Sequence, residues 1–261
     1  MSTFFSISDA VYLSKKETYS LQTNSPIVLC DFDGTISLDD VTDTLLAHFG
    51  QDGCDELEAR WEAGEIGSQE CMSKQIALLD ASLDEVNQVL AGIEIDPYFK
   101  AFVRSAQDNN IAVHIVSDGL DYAIKTILAN HQLDFLPVYA NTLLHDNVRG
   151  WSLQFPYSDV NCQKQSGNCK CSHVRKQCKN FFPILYVGDG SSDFCVSNKV
   201  DYVFAKDKLI DFCQHNQINH RPINSFDNVI ELIPTIRKTF QSRLMRSPLT
   251  NAEYNEGLIL L

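Results

Sequence analysis

Apolar and polar positions alternate along this chain in two registers. Pro26 to Asp31 (PIVLCD) is a continuous apolar run that ends in an acid, as expected of a strand buried on both faces of a parallel sheet. Ile111 to Ser117 (IAVHIVS) and Ile184 to Asp189 (ILYVGD) repeat the design, and Tyr202 to Ala205 (YVFA) is a fourth short run. Helical spacing lies between them. Tyr122, Ile124, Ile127 and Leu128 recur at mixed intervals within Tyr122 to His131, and Lys208 to Asn216 and Val229 to Phe240 behave similarly. Strands alternating with helices predict an α/β fold with a doubly wound parallel sheet. Ligands of such sheets bind at the carboxyl ends of the strands. Here those ends carry Asp31, Ser117 and Asp189, so the topology predicts that these three residues share one rim.

One stretch breaks the alternation. Between Asp40 and Asp96 helical character dominates, with Leu45, Leu46 and Phe49 on one stripe and Leu57, Trp61 and Glu65 on another segment. Ile76, Leu79, Leu83, Val86 and Leu90 continue the pattern, and Gly64, Gly67 and Gly92 punctuate it. This predicts a helical insert over 40–97, set into a core of 25–39 and 98–261 and large enough to cover a site. Asn141 to Tyr157 alternates around Asp146-Asn147, as a hairpin or flap does. Residues 1–24 form an N-terminal extension outside this pattern.

Composition narrows the class. Of 261 residues, 21 are Lys or Arg and 34 are Asp or Glu, a net charge of −13. No basic cluster is present to hold a nucleic-acid backbone, so nucleic acid is not an expected partner. No apolar stretch is long enough for a transmembrane helix, and the N-terminus lacks the layout of a secretory signal, so a cytoplasmic location and no membrane association are expected. Nine cysteines are then expected as reduced thiols. Cys162, Cys169, Cys171 and Cys178 form the densest group, with spacings that do not match paired zinc knuckles; plain thiols are favoured over a structural metal site there. The acidic balance sets a condition: an anionic substrate needs local positive charge.

Four motifs meet it. DFDGT (Asp31 to Thr35), VSDG (Val116 to Gly119), a lysine upstream of the last motif, and GDGSSD (Gly188 to Asp193) follow one another in that order. Together they resemble the haloacid dehalogenase superfamily, whose phosphatases carry DxDG(T/V) at the end of the first strand. The 86-residue gap between Asp31 and Ser117 resembles the phosphoserine-phosphatase-like subclass, with a helical cap between the first two motifs. CDFDGTI, GNCKCSHV and FAKDKLIDFCQHNQINHRPINSF are most similar to the methionine-salvage phosphatases that act on 2-hydroxy-3-keto-5-methylthiopentenyl-1-phosphate. The chain departs from several relatives in its N-terminal extension and in SDG where they have SGG.

The resemblance implies a Mg²⁺-dependent phosphatase for a small-molecule phosphomonoester. Asp31 would be the nucleophile, forming an aspartyl phosphate that splits one difficult hydrolysis into two easier steps. Asp33 would be general acid and then base, although an Asp there could also cap the following helix. Asp31, Asp189 and Asp193, with the Asp33 backbone carbonyl, would be the metal ligands, since Mg²⁺ takes oxygen donors. Ser117, Asp118 and Gly119 would cradle phosphate in a backbone nest. Lys164, Lys170, Lys176 and Lys179 all precede Asp189; Lys170, just ahead of a helical pattern at His173 to Cys178, is the one a helix start would aim inward. Specificity falls to the insert, where Asp40 and Arg60 are candidates, Asp40 matching an acid that reads an amine in phosphoserine phosphatases. His114, inside a strand, reads as core. Phosphoserine, a phosphoamine or pyridoxal phosphate as substrate, and phosphotransfer in place of hydrolysis, remain alternatives. The assembly is expected to be a monomer or homodimer.

Overall fold

The computed structural model describes residues 25–178 and 181–244. The 1–24 extension, Lys179 and the apolar end at Leu258 to Leu261 lie outside the described residues. The elements run β1 (Ser25–Cys30), α1 (Val41–Phe49), α2 (Cys54–Glu62), α3 (Ser68–Ala77), α4 (Leu83–Leu90), α5 (Phe99–Asp108), β2 (Ala112–Leu120), α6 (Asp121–Asn130), β3 (Val138–His145) and β4 (Trp151–Gln154). They continue with α7 (Lys170–Gln177), β5 (Phe181–Gly188), a 3₁₀ turn (Ser191–Asp193), α8 (Phe194–Ser197), β6 (Tyr202–Ala205), α9 (Asp207–His215), β7 (His220–Pro222), α10 (Asp227–Ile230) and α11 (Ile233–Leu244).

The seven strands form one sheet in the order β4-β3-β2-β1-β5-β6-β7, parallel except for the antiparallel β3–β4 hairpin. β1 is central. The chain leaves it toward β2 on one side and returns to β5 on the other, so the switch point of the sheet lies at the β1 carboxyl end. The continuous apolar run of β1 has its reason in this position: Ile27, Val28, Leu29 and Cys30 are at most 1% exposed, because helices cover both faces.

Several expectations shift by a turn or more. Glu65 lies beyond the end of α2, past Gly64, whose φ of +74° continues no helix. Leu79 and Leu83 do not share one helix: α3 ends at Ala77, and Ser82 starts α4 with a capping box, its hydroxyl accepting from the Glu85 amide while Glu85 accepts from the Ser82 amide. Val229 to Phe240 divides between α10 and α11. The three-residue β7 was not anticipated; it has too few residues to show a period.

Of the five helices between β1 and β2, the first four, α1 to α4, fall within residues 40–97. The two chain crossings that lead to and from them run side by side: Ser37 bridges Ile95, Leu38 N–H donates to Glu94 O at 3.0 Å, and Asp96 N–H donates to Ile36 O at 2.8 Å. Leu45, Ile76 and Leu90 of these helices belong to the same apolar cluster as Val28 and Phe204 of the sheet and Phe102 of α5. The β3–β4 hairpin leans on the helices from the other side. Trp151 Nε1 donates to Ala81 O at 2.8 Å, and Arg149 pairs with Asp80 and Glu85.

Candidate active site

The site is assembled from strand ends. Asp31 follows β1 directly, and its N–H donates to Val187 O of β5 at 2.9 Å, so the extended geometry of the sheet carries one residue further. The chain then turns sharply. Gly34 has φ +68°, and a Cβ there would lie 2.7 Å from Asp189 Oδ2, so this turn admits only glycine against the neighbouring carboxylate. Thr35, wholly buried, donates its hydroxyl to Asp189 Oδ1 at 2.6 Å.

Lys170 is the hub. It is the first residue of α7, 5% exposed, and all three of its ammonium hydrogens have acceptors: Asp31 Oδ2, Asp193 Oδ1 at 2.6 Å and Ser192 Oγ at 2.8 Å. Burial alone would lower its pKa, but Asp193 and Asp31 outweigh that and hold it well above the ordinary lysine value. Asp193 shows the reciprocal effect. Burial pushes its carboxyl up, and Lys170, with the Tyr186 hydroxyl and the Gly190 amide, brings it below the usual range.

Carboxylate oxygens of Asp31, Asp189 and Asp193 lie within 4.8 Å of one another, the one such group of three potential metal ligands among the described residues. Lys170 supplies one positive charge against them. The excess negative charge shows in Asp189, which burial and then Asp193 push up to about 6. An all-oxygen set of crowded, mostly buried carboxylates fits a hard divalent cation, which would relieve that repulsion.

Asp33 sits apart from this trio. Its Oδ1 accepts the Val41 amide at 2.9 Å, and its Oδ2 faces the Ser117 hydroxyl at 3.5 Å. Burial first, then the Asp40 charge, push its carboxyl up to about 8, so it holds a proton at neutral pH. The bond to Val41 means that Asp33 does satisfy the first turn of α1 as well.

Ser117, 1% exposed on β2, accepts the Gly119 amide on its Oγ at 2.9 Å. Gly119 has no room for a side chain, since a Cβ would meet Asp33 Oδ2 at 2.4 Å. Asp118 stands between Ser117 and Gly119, and its side chain has structural partners of its own. Its carboxylate accepts Ser68 Oγ–H at 3.0 Å, Asn168 N–H at 2.8 Å and Asn141 Nδ2–H at 3.1 Å. The extra acid of SDG therefore ties α3 to the sheet rim. Asp40 caps α1, accepting the Asp43 amide at 3.0 Å, and is exposed. Arg60 is exposed on α2 and pairs with Glu65 at 3.3 Å. Cys178 is exposed, with its thiol donating to Arg175 O at 3.1 Å. His114 is buried, and burial lowers its pKa to about 4, so it is a neutral core histidine.

Four contributors escaped the sequence reading. Thr35 and Ser192 sit inside motifs that were read for their acids. Lys206 follows a recognised strand, which was itself a signal that it reaches the rim. Asn168, 1% exposed, donates Nδ2–H to Ser117 O and to Tyr139 O, both at 2.7 Å, and accepts from His173 Nε2 at 2.7 Å. No local pattern announces an Asn that braces three elements.

The comparisons agree with this geometry. A family model described as Putative Phosphatase matches residues 26–240. A protein of Bacillus thuringiensis subsp. konkukian named 2-hydroxy-3-keto-5-methylthiopentenyl-1-phosphate phosphatase is 32% identical over 209 residues, covering 77% of this chain and 93% of its own. A Bacillus cereus protein of the same name is 28% identical over 210 residues, with the same coverage. Among solved structures, one described as a phospho-aspartyl intermediate analogue of phosphoserine phosphatase superposes with a TM-score of 0.62 at 16% identity, over 80% of this chain and 98% of that one. A HAD family hydrolase from Salmonella enterica gives 0.64 at 18%, over 81% and 72%. Among the described residues no helix is long and apolar enough to cross a membrane. With its strand-end carboxylates in this order and its match running through almost all of the described fold, the chain belongs to the Putative Phosphatase family, is a phosphatase, and has the fold of these phosphoserine phosphatase and HAD family hydrolase structures.

Proposed function

We propose that the chain hydrolyses a small phosphomonoester with Mg²⁺, through an aspartyl phosphate on Asp31, beneath a helical cap formed by residues 40–97. The observation that carries this reading is the buried Asp31–Lys170–Asp193 ion-paired group with Asp189 beside it. A carboxylate nucleophile must meet an anionic phosphate, and in a chain of net charge −13 only a local cation makes that approach favourable. Asp31, Asp189 and Asp193 would hold Mg²⁺, which neutralises charge on the transferring phosphoryl group.

The protein's own groups do the rest. Lys170 holds Asp31 through Oδ2, while the Phe32 amide donates to Oδ1 at 2.7 Å, so both nucleophile oxygens are oriented before substrate arrives. Asp33, protonated at neutral pH, gives its proton to the leaving oxygen. The carboxylate that results takes a proton from the water that hydrolyses the aspartyl phosphate. The Ser117 hydroxyl and the backbone around Gly119 receive phosphate oxygens.

The names of the Bacillus relatives point to a methylthio-ketopentenyl phosphate as substrate. The phosphoserine alternative leans on Asp40, whose carboxylate serves instead as the cap of α1. Assaying phosphate release from both compounds, with Mg²⁺ and with excess chelator, tests the reading. We expect Mg²⁺-dependent release with a kcat/KM at least tenfold higher for the methylthio-ketopentenyl ester. Release that persists in chelator, or that survives Asp31→Asn, overturns the mechanism; a preference for phosphoserine overturns the substrate assignment alone.

A further inference from the structure

Asp189 receives no hydrogen bond from Lys170, whose three hydrogens are all committed elsewhere, although the Lys170 charge does act on it. Its support comes from another side. Lys206 closes β6, the strand next to β5, and its backbone N–H donates to Gly188 O at 2.9 Å, which places it beside the residue preceding Asp189. Its side chain is drawn inward, and the residue is only 8% exposed. Nζ donates to the backbone carbonyl of Thr35 at 3.2 Å, and the Thr35 hydroxyl donates to Asp189 Oδ1 at 2.6 Å.

Lys170 and Lys206 are the two buried lysines among the described residues. Burying an ammonium is costly, and one hydrogen bond to a neutral carbonyl does not repay it. Asp189 lies close enough for an attractive effect of Lys206 on its carboxyl, ranking after that of Lys170. Thr35 is the joint between them, on the same short turn as Asp31. Lys206 therefore grips the nucleophile turn by its carbonyl, and the turn in turn fixes Asp189 by its hydroxyl.

We infer that Lys206 is a positioning residue: by clamping Thr35 it sets the spacing between Asp31 and Asp189, and hence the grip of the carboxylates on a divalent cation. The inference rests on the metal reading given above. A nearby positive charge and a positioning clamp predict opposite signs. If Lys206 acted only as a charge, removing it would tighten Mg²⁺ binding through Coulomb's law. If it is a clamp, removing it loosens the site and weakens binding.

Calorimetric titration of the full chain with Mg²⁺ separates these outcomes without using activity. The clamp predicts that Lys206→Met raises the Mg²⁺ Kd at least fivefold, that Lys206→Arg restores most of the affinity, and that kcat falls at saturating Mg²⁺ with little change in KM. Thr35→Val removes the hydroxyl arm and should give the same weakening. Combined with Lys206→Met, it should add less than the sum of the two, as expected for residues acting through one joint. Tighter or unchanged Mg²⁺ binding in Lys206→Met overturns the inference, as does full additivity. If Lys206→Met does not fold, Thr35→Val decides: unchanged Mg²⁺ affinity in that variant overturns the clamp. A wild-type protein that binds no Mg²⁺ would overturn the metal reading itself.

Discussion

Four carboxylates crowd the end of the central strand, and their environments separate their roles. Asp31 and Asp193 share the Lys170 ammonium, and Asp193 is brought below the usual carboxyl range by it, although burial opposes this. Asp33 has no such partner, and burial with the Asp40 charge pushes it up to about 8. Burial pushes Asp31 up as well, with Lys170 opposing it, so the two acids differ in their partners: Asp31 is paired with a cation and Asp33 is not. The sign of the pH dependence follows. Asp33 must begin protonated to serve the leaving group, so kcat/KM should fall as pH rises through about 8, and a bound divalent cation moves that limb down. Asp33→Asn should cost on the order of 10²–10⁴-fold in kcat and abolish the limb, as a pH–rate profile would show. A limb that persists in Asp33→Asn assigns it to another group.

At the scale of elements, Asp118 joins parts that share no sequence proximity. Ser68 at the start of α3, Asn141 on β3 and the loop amide of Asn168 all donate to its carboxylate. Asp118→Ala leaves buried donors without an acceptor, at about 1–3 kcal/mol. We expect a lower melting temperature and a reduced kcat, because the residue before Gly119 is no longer braced; unchanged stability would show that the link between α3 and the rim contributes nothing. The elements differ in how legible they were. The apolar runs of β1, β2, β5 and β6 were plain because central parallel strands are buried on both faces. Their chemistry was plain too, since Asp31, Ser117 and Asp189 stand at the ends of those runs. What the Asp118 side chain does beside that rim was not legible, for a physical reason. Its neighbours in sequence place it at the phosphate rim, but the direction of its carboxylate depends on Ser68, Asn141 and Asn168, which only the folded chain brings together. Arg60 gave no direction in the sequence either, as an exposed helix with no buried residues offers no face from which to infer one.

For the molecule as a whole, the sheet rim depends on buried neutral histidines behind it. His173 is 3% exposed, and burial, then Lys176, lower its pKa to about 4. Asn168 uses its amide hydrogens on two carbonyls, so its Oδ1 accepts and the His173 Nε2 donates. His114 shares the same lowered value. In the unfolded chain both titrate near 6.5, so between about 6.5 and 4 the unfolded state binds more protons. Stability is therefore complete above about 6.5 and lost as pH falls, by about 1.4 kcal/mol per unit for each histidine. Urea titrations at stepped pH should show the midpoint falling over that window, with a smaller fall in His173→Gln. A flat midpoint would mean that the two rings charge in the folded state.

Every scale converges on Asp31, where the sheet's switch point, the Lys170 ion pairs and the proton held on Asp33 meet. The most direct measurement is rapid-quench mass spectrometry of the peptide containing residue 31 during turnover of a phosphomonoester with Mg²⁺. A transient gain of one phosphoryl group on Asp31, at a rate no slower than kcat, is the result expected. Phosphate release at the normal rate with no phosphoryl group on Asp31, or with it on another residue, would contradict the account.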